Sequence, residues 1–78
     1  MKIELRLYAS LSRYMPERWK GSPVVDIPEG MTVKELLETM EVPFGTVKTI
    51  FINGLHASGD AVLHDSDRVG VFPPVAGG

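Results

Sequence analysis

Cysteine is absent from this chain of 78 residues. Its absence excludes a disulfide framework, a zinc-thiolate centre and a cysteine nucleophile, so any sulfur chemistry must draw its sulfur from elsewhere. No apolar run approaches the roughly 20 residues that span a bilayer. Residues 1–8 alternate charge with apolarity and lack the unbroken hydrophobic stretch of a secretory leader. A cytoplasmic protein without membrane association is the expectation. Basic excess is missing too, because eight Lys and Arg against ten Asp and Glu leave a net charge of −2 with both signs dispersed. No basic stripe of the kind that tracks a phosphate backbone can be drawn, so nucleic acid is not an expected partner. The chain also has no phosphate-binding glycine loop and no nucleophile elbow, and no base, nucleophile and orienting group converge. It is not expected to be an enzyme by itself.

What is present suffices for one small domain. A chain near this length buries only about 60% of its unfolded surface, but 44% hydrophobic residues can supply a core. Lys2 to Tyr8 is the clearest strand, with Ile3, Leu5 and Leu7 alternating against Lys2, Glu4, Arg6 and Tyr8. Ser10 is positioned to cap a short helical segment with Leu11, Tyr14 and Met15 on one face, ended by Pro16. Residues 17–22 read as loop, and Val24 to Ile27 as a second strand returning beside the first.

Thr32 and Glu35 have the spacing of a capping box, with Met31 and Leu36 at the staple positions around it. Val33, Leu36, Leu37 and Met40 recur at helical spacing, and Pro43 predicts a stop near Met40 or Glu41. Thr49 to Ile52 is a further strand, followed by Asn53-Gly54, the dipeptide of a tight hairpin turn, and a returning strand at Leu55 to Ala57. Ala61 to Leu63 reads as a short edge segment, Asp65 to Asp67 as a turn, and Arg68 to Phe72 as the last strand. This order predicts an α+β fold, a mixed sheet with one main helix packed across one face. Residues 1–78 form a single domain in this reading, and 73–78 an extended, flexible C-terminal arm.

The arm is the most informative segment. It follows Phe72 as Pro73, Pro74, Val75, Ala76, Gly77, Gly78. Adjacent prolines fix φ near −65° and remove two donors, which stiffens the exit from the body. Gly77 and Gly78 lack a Cβ and are slim enough for a narrow channel. A terminal carboxylate is ionised at neutral pH, is a poor electrophile, and becomes reactive once adenylated. A frayed end is the bland alternative, but a mere chain stop at Pro73-Pro74 would not require four further residues. Phe72 lies opposite Val69 and Val71 on the last strand, with Gly70, and either packs under a loop or anchors a partner.

The ending Asp65, Ser66, Asp67, Arg68, Val69, then Val71 to Gly78, resembles the MoaD/ThiS family of ubiquitin-like β-grasp sulfur carriers. It is most similar to the MoaD-like branch, which includes the small subunit of molybdopterin synthase. Ser66 departs from that pattern, in which the turn often has glycine, and Gly70-Val71 is less bulky than in many relatives. The resemblance implies that Gly78 is adenylated by an activating enzyme of the ubiquitin-activating class (MoeB/ThiF type), which would bind the ATP. It implies next that sulfur from a persulfide donor or sulfurtransferase converts Gly78 to a thiocarboxylate. The sulfur would pass to a pterin precursor in the large subunit of molybdopterin synthase (MoaE type), towards a molybdenum or tungsten cofactor. Gly78 would be the sulfur-donating residue, with Gly77, Ala76, Val75, Pro74, Pro73 and Phe72 as the partner-binding tail, and no cofactor bound by the chain. Two alternatives share the activation step: a carrier for thiamine thiazole or another sulfur pathway, and a ubiquitin-like modifier joined to lysines.

The remaining polar residues carry weaker signals. His56 and His64 lack cysteine neighbours and compact ligand spacing, and read as surface histidines. Asp65, Asp67 and Gly70 echo a calcium loop, but Val69 takes a ligand position and Ala76 stands where the closing glutamate belongs. No metal site is expected. Arg6, Arg13, Arg68, Lys20, Lys34 and Lys48 read as solvated charges, some of which could flank acidic partner surfaces.

Overall fold

The computed structural model describes residues 1–15 and 23–74. The loop expected at 17–22, the stop at Pro16, and Val75 to Gly78 lie outside the described residues. Five strands form one sheet: β1 (Lys2–Leu7), β2 (Val24–Asp26), β3 (Thr49–Ile52), β4 (Leu55–Ala57) and β5 (Arg68–Phe72). Their order is β2-β1-β5-β3-β4. The central pair, β1 with β5, is parallel and sets Glu4 against Arg68 and Leu7 against Val71. The other pairings are antiparallel, giving the mixed sheet the sequence pattern predicts.

One helix, α1 (Val33–Thr39), contributes Val33, Leu36 and Leu37 to a single core with Ile3, Leu5, Leu7, Val25, Ile50, Val69 and Val71. The alternation of β1 is realised fully, because Leu5 is 0% exposed while its neighbours Glu4 and Arg6 face away. At the start of α1 each of four backbone donors has a partner. Thr32 N–H donates to Glu35 Oε1 and Glu35 N–H to Thr32 Oγ1, completing the capping box. Val33 and Lys34 N–H donate to the carbonyls of Ala61 and Gly59.

That last arrangement corrects the expectation for Ala61 to Leu63. The segment forms only a single bridge, Thr32 with Val62, and no strand of the sheet. Its carbonyls and the buried Leu63 are drawn to the helix entry, where orphan donors need acceptors. Ser10 is a second correction. A 3₁₀ helix spans Ala9–Tyr14, so Ser10 lies inside it, and Tyr8 occupies the cap without a side-chain bond. The turn starts early because Tyr8 N–H is still held by Val71 O, while Tyr8 O already accepts from Leu11 N–H.

The helix stops where Pro43 predicts, by a specific device. Glu41 takes φ 62°, Glu41 N–H donates to Glu38 O, and Val42 N–H donates to Leu37 O. This is a Schellman ending with glutamate at the position usually given to glycine, and Val42 is buried beneath it. A short 3₁₀ turn, Phe44–Thr46, then leads into β3.

The candidate functional face of the sheet

The outward residues of β1, β5, β3 and β4 form cross-strand rows on the face opposite the core. Register places Arg6, Gly70, Phe51 and His56 in one row. Glu4 lies beside Arg68 in the next, towards the start of both strands. At the far end Thr49 pairs with Phe72, and Tyr8 N–H bonds Val71 O, so Tyr8 and Phe72 meet. Their rings stack at 4.3 Å between centroids with planes 2° apart, and Phe51 meets Phe72 edge-on at 5.8 Å. Offset stacking and T-shaped contact are the arrangements that aromatic quadrupoles favour.

Gly70 makes room for this cluster. A Cβ at that position would lie 3.3 Å from Tyr8 Cε2 and 3.6 Å from Phe72 Cε1. The missing side chain lets both rings lean over the backbone, and the space that remains is an open groove of about 360 Å³ bordered by Arg6, Arg68, Tyr8, Phe51 and Phe72. Neither Arg6 nor Arg68 has an ion-pair partner among the described residues, although Glu4 is Arg68's register neighbour. The face therefore offers two guanidinium groups around an aromatic trio.

The connections at the base of β5 hold this register. Asn53 and Gly54 take φ 53° and 83°, the left-handed pair that closes the β3–β4 hairpin, and glycine meets that demand without a Cβ penalty. The Asn53 side chain spans to β5, donating from Nδ2 to Asp67 Oδ1 at 2.9 Å and accepting from Arg68 N–H at 3.0 Å. Asp67, 9% exposed, also accepts from His64 N–H at 2.8 Å. Ser66 sits at φ 71°, so the turn does require the left-handed conformation that glycine adopts most easily.

Of the tail residues singled out in the sequence, Phe72, Pro73 and Pro74 are described. Phe72 ends β5, packed on the open face and not under a loop. Its carbonyl accepts from Lys48 N–H at 2.8 Å. Pro73 is half-buried and Pro74 exposed, and neither has an N–H with which to extend the ladder. Val75, Ala76, Gly77 and Gly78 lie outside the described residues. His56 tilts against Phe51, and His64 is exposed with Nδ1 3.9 Å from Asp67. Among the described residues no three His, Asp or Glu side chains gather as a metal site, and no helix is long and apolar enough to cross a membrane.

Tyr8, Phe51 and Gly70 are the members of this face that sequence reasoning does not connect. The alternation of β1 turns Tyr8 outward, and the phase of β5 does the same for Gly70. What brings them together is the parallel register of two strands from opposite ends of the chain, which leaves no local mark.

Comparison with known proteins gives this geometry its setting. The ThiS family model matches residues 9–78. A Pyrococcus furiosus structure assigned to molybdopterin converting factor, subunit 1, is 30% identical, matching 95% of this chain and 98% of the other with a TM-score of 0.63. SAMP1 of Haloferax volcanii is 22% identical over 100% of both chains, with a TM-score of 0.68. Subunit 1 in the complex of subunits 1 and 2 of molybdopterin-converting factor from Helicobacter pylori is 22% identical over 100% of both chains, with a TM-score of 0.57. The search of curated proteins found no match. The fold is thus the ubiquitin-like β-grasp, and the chain belongs to the ThiS/MoaD family of ubiquitin-like sulfur-carrier proteins.

Proposed function

We propose that this protein is the sulfur carrier of molybdopterin synthesis. In this reading the Gly78 carboxylate attacks the α-phosphorus of ATP held by an adenylating enzyme of the MoeB/ThiF type. Pyrophosphate leaves, the terminal sulfur of a donor persulfide displaces AMP from the acyl carbon to give an acyl disulfide, and attack by a second thiol on its S–S bond forms a disulfide and releases the terminal sulfur on Gly78. The resulting thiocarboxylate is delivered to a pterin precursor inside a large subunit of the MoaE type. The observation that carries the reading is family membership across residues 9–78 joined to the ending Phe72-Pro73-Pro74-Val75-Ala76-Gly77-Gly78. The Pyrococcus likeness supports it, and so does the Helicobacter structure, in which the similar subunit is seen with a second subunit.

The physical logic is that of a tether. A reacting atom on a thin arm, presented inside a partner's site, turns delivery into a nearly unimolecular step. The partner supplies the catalytic groups, and this chain supplies the sulfur and the arm. Localisation in the cytoplasm and use without a bound cofactor belong to the same proposal.

Intact-mass spectrometry after incubation with ATP, the adenylating enzyme, a persulfide donor and a thiol reductant tests it. One oxygen exchanged for sulfur at Gly78, and loss of that sulfur to the pterin precursor only with the large subunit, is the expected result. Deletion of Gly78 should leave the fold intact and abolish the exchange. Sulfur transfer by the truncated chain would end the terminal-donor mechanism. The likeness to SAMP1, a small archaeal modifier protein, favours a second reading in which Gly78 is joined to lysines of other proteins. Lysine-linked adducts in the same spectra, without the sulfur increment, would select it.

A further inference from the structure

We propose that Arg6 and Arg68 are specificity-determining residues, which make the groove over Gly70 the docking surface for an acidic, partly apolar segment of the protein that charges the terminus; this rests on the carrier reading above. Register sets the two arginines diagonally across the parallel pair β1 and β5, with Arg6 directly beside Gly70. Both are exposed, and neither has an ion-pair partner among the described residues. Gly70 floors the groove while Tyr8, Phe51 and Phe72 wall it, leaving about 360 Å³ of open space.

A lone exposed arginine is an ordinary solvated charge. Two of them at this place are not accounted for by the fold, because like charges on neighbouring strands repel and weaken a sheet. The charged members of the groove, Arg6, Arg68 and Glu4, leave an excess of one positive charge in a chain whose net charge is −2. Carboxylates gather elsewhere: Glu35, Glu38 and Glu41 are exposed on or just beyond α1, which packs on the other side of the sheet. The chain is thus polarised, and the sheet face is the side that an acidic surface attracts at long range. At short range the guanidinium fork takes a carboxylate in paired hydrogen bonds, a geometry that an ammonium does not offer. The rings beside it suit the aliphatic neighbours of that carboxylate, and arginine and tyrosine are among the residues in which interface binding energy concentrates. A phosphate backbone fits less well, since Glu4 stands in the same groove and no basic stripe continues from it.

ATP–pyrophosphate exchange with the adenylating enzyme, followed against carrier concentration and salt, tests the assignment. The paired variant Arg6→Gln with Arg68→Gln should raise KM about tenfold at about 0.01 M salt and leave kcat unchanged. Raising salt to about 0.15 M shortens the Debye length from about 30 Å to about 8 Å, which should raise KM for the unaltered chain and leave that of the paired variant nearly constant. Glu4→Gln should act in the opposite sense and lower KM. A paired variant with the KM and salt response of the unaltered chain would overturn the proposal, as would a fall in kcat alone. If the unaltered chain gives no exchange, the carrier reading falls, and a nuclear magnetic resonance titration of the isotope-labelled chain then decides the surface separately. A blocked leucine-glutamate-leucine peptide should shift the Gly70 amide resonance, and the paired variant should lose that shift; this result keeps the acidic docking surface without that partner. An equal shift from the glutamine counterpart of the peptide would mark a merely apolar groove, an equal shift from acetate a free-anion site, and a shift from oligothymidylate alone a nucleic-acid surface. Any of these three, or no shift at all, overturns the proposal.

Discussion

Along β1 and β5 the inward residues are Ile3, Leu5, Leu7, Val69 and Val71, all buried aliphatics. The outward residues interleaved with them are Glu4, Arg6, Tyr8, Arg68, Gly70 and Phe72, among which three are charged, two aromatic and one has no side chain. The two sets share the same backbone and the same hydrogen bonds, so strand formation does not explain the difference. The inward set is chosen by volume and burial, because a packed interior registers the loss of even one methylene. The outward set is not needed to close the core. Guanidinium groups without an ion-pair partner among the described residues, and a stacked aromatic pair over a glycine, make a surface suited to being read by another molecule.

The sharpest break of that contrast is truncation inside. Leu5→Ala should cost about 2–5 kcal/mol in denaturant unfolding, a large part of the stability of so small a domain. A loss below about 1 kcal/mol would mean that the inner face is not what holds the fold. Next comes Asp67, at the joint where β5 begins. Asp67→Ala strips acceptors from Asn53 Nδ2 and His64 N–H and should cost about 1–3 kcal/mol, measured in the same way. Ser66→Gly should act in the opposite direction. Relief of left-handed strain at φ 71°, offset in part by the added freedom of the unfolded chain, should raise stability by about 0.5 kcal/mol. The smallest effect belongs outside. Arg68→Gln should change stability by no more than about 0.5 kcal/mol, and a larger loss would show that its charge serves the fold and not the surface.

Much of this fold is legible in short stretches of sequence. The alternation in Lys2 to Tyr8 marks the core face of β1, Thr32 and Glu35 mark the start of α1, and Asn53-Gly54 marks the hairpin, because each is determined by neighbours within a few residues. Glu41 is different. Nothing local demands a glutamate at positive φ, and the burial of Val42 against the core supplies the reason. Ala61 to Leu63 misleads for a similar cause, since its apolar residues suit an edge strand until the donors at the helix entry claim its carbonyls. For the candidate site, Phe72 and the prolines stand out as a string of letters, whereas Tyr8, Phe51 and Gly70 become neighbours only once three strands are aligned.

The parallel pairing of β1 with β5 joins the first strand of the chain to the last, Glu4 to Leu7 against Arg68 to Val71, so the middle of the sheet closes only when distant segments meet. Such nonlocal closure makes folding slow and cooperative, and leaves few routes to a half-formed sheet. The seat of Phe72 comes into being in that same event, since both Tyr8 and Lys48 must already be in place. An enzyme that engages the chain at this seat would, without any separate check, be testing whether the whole domain has matured.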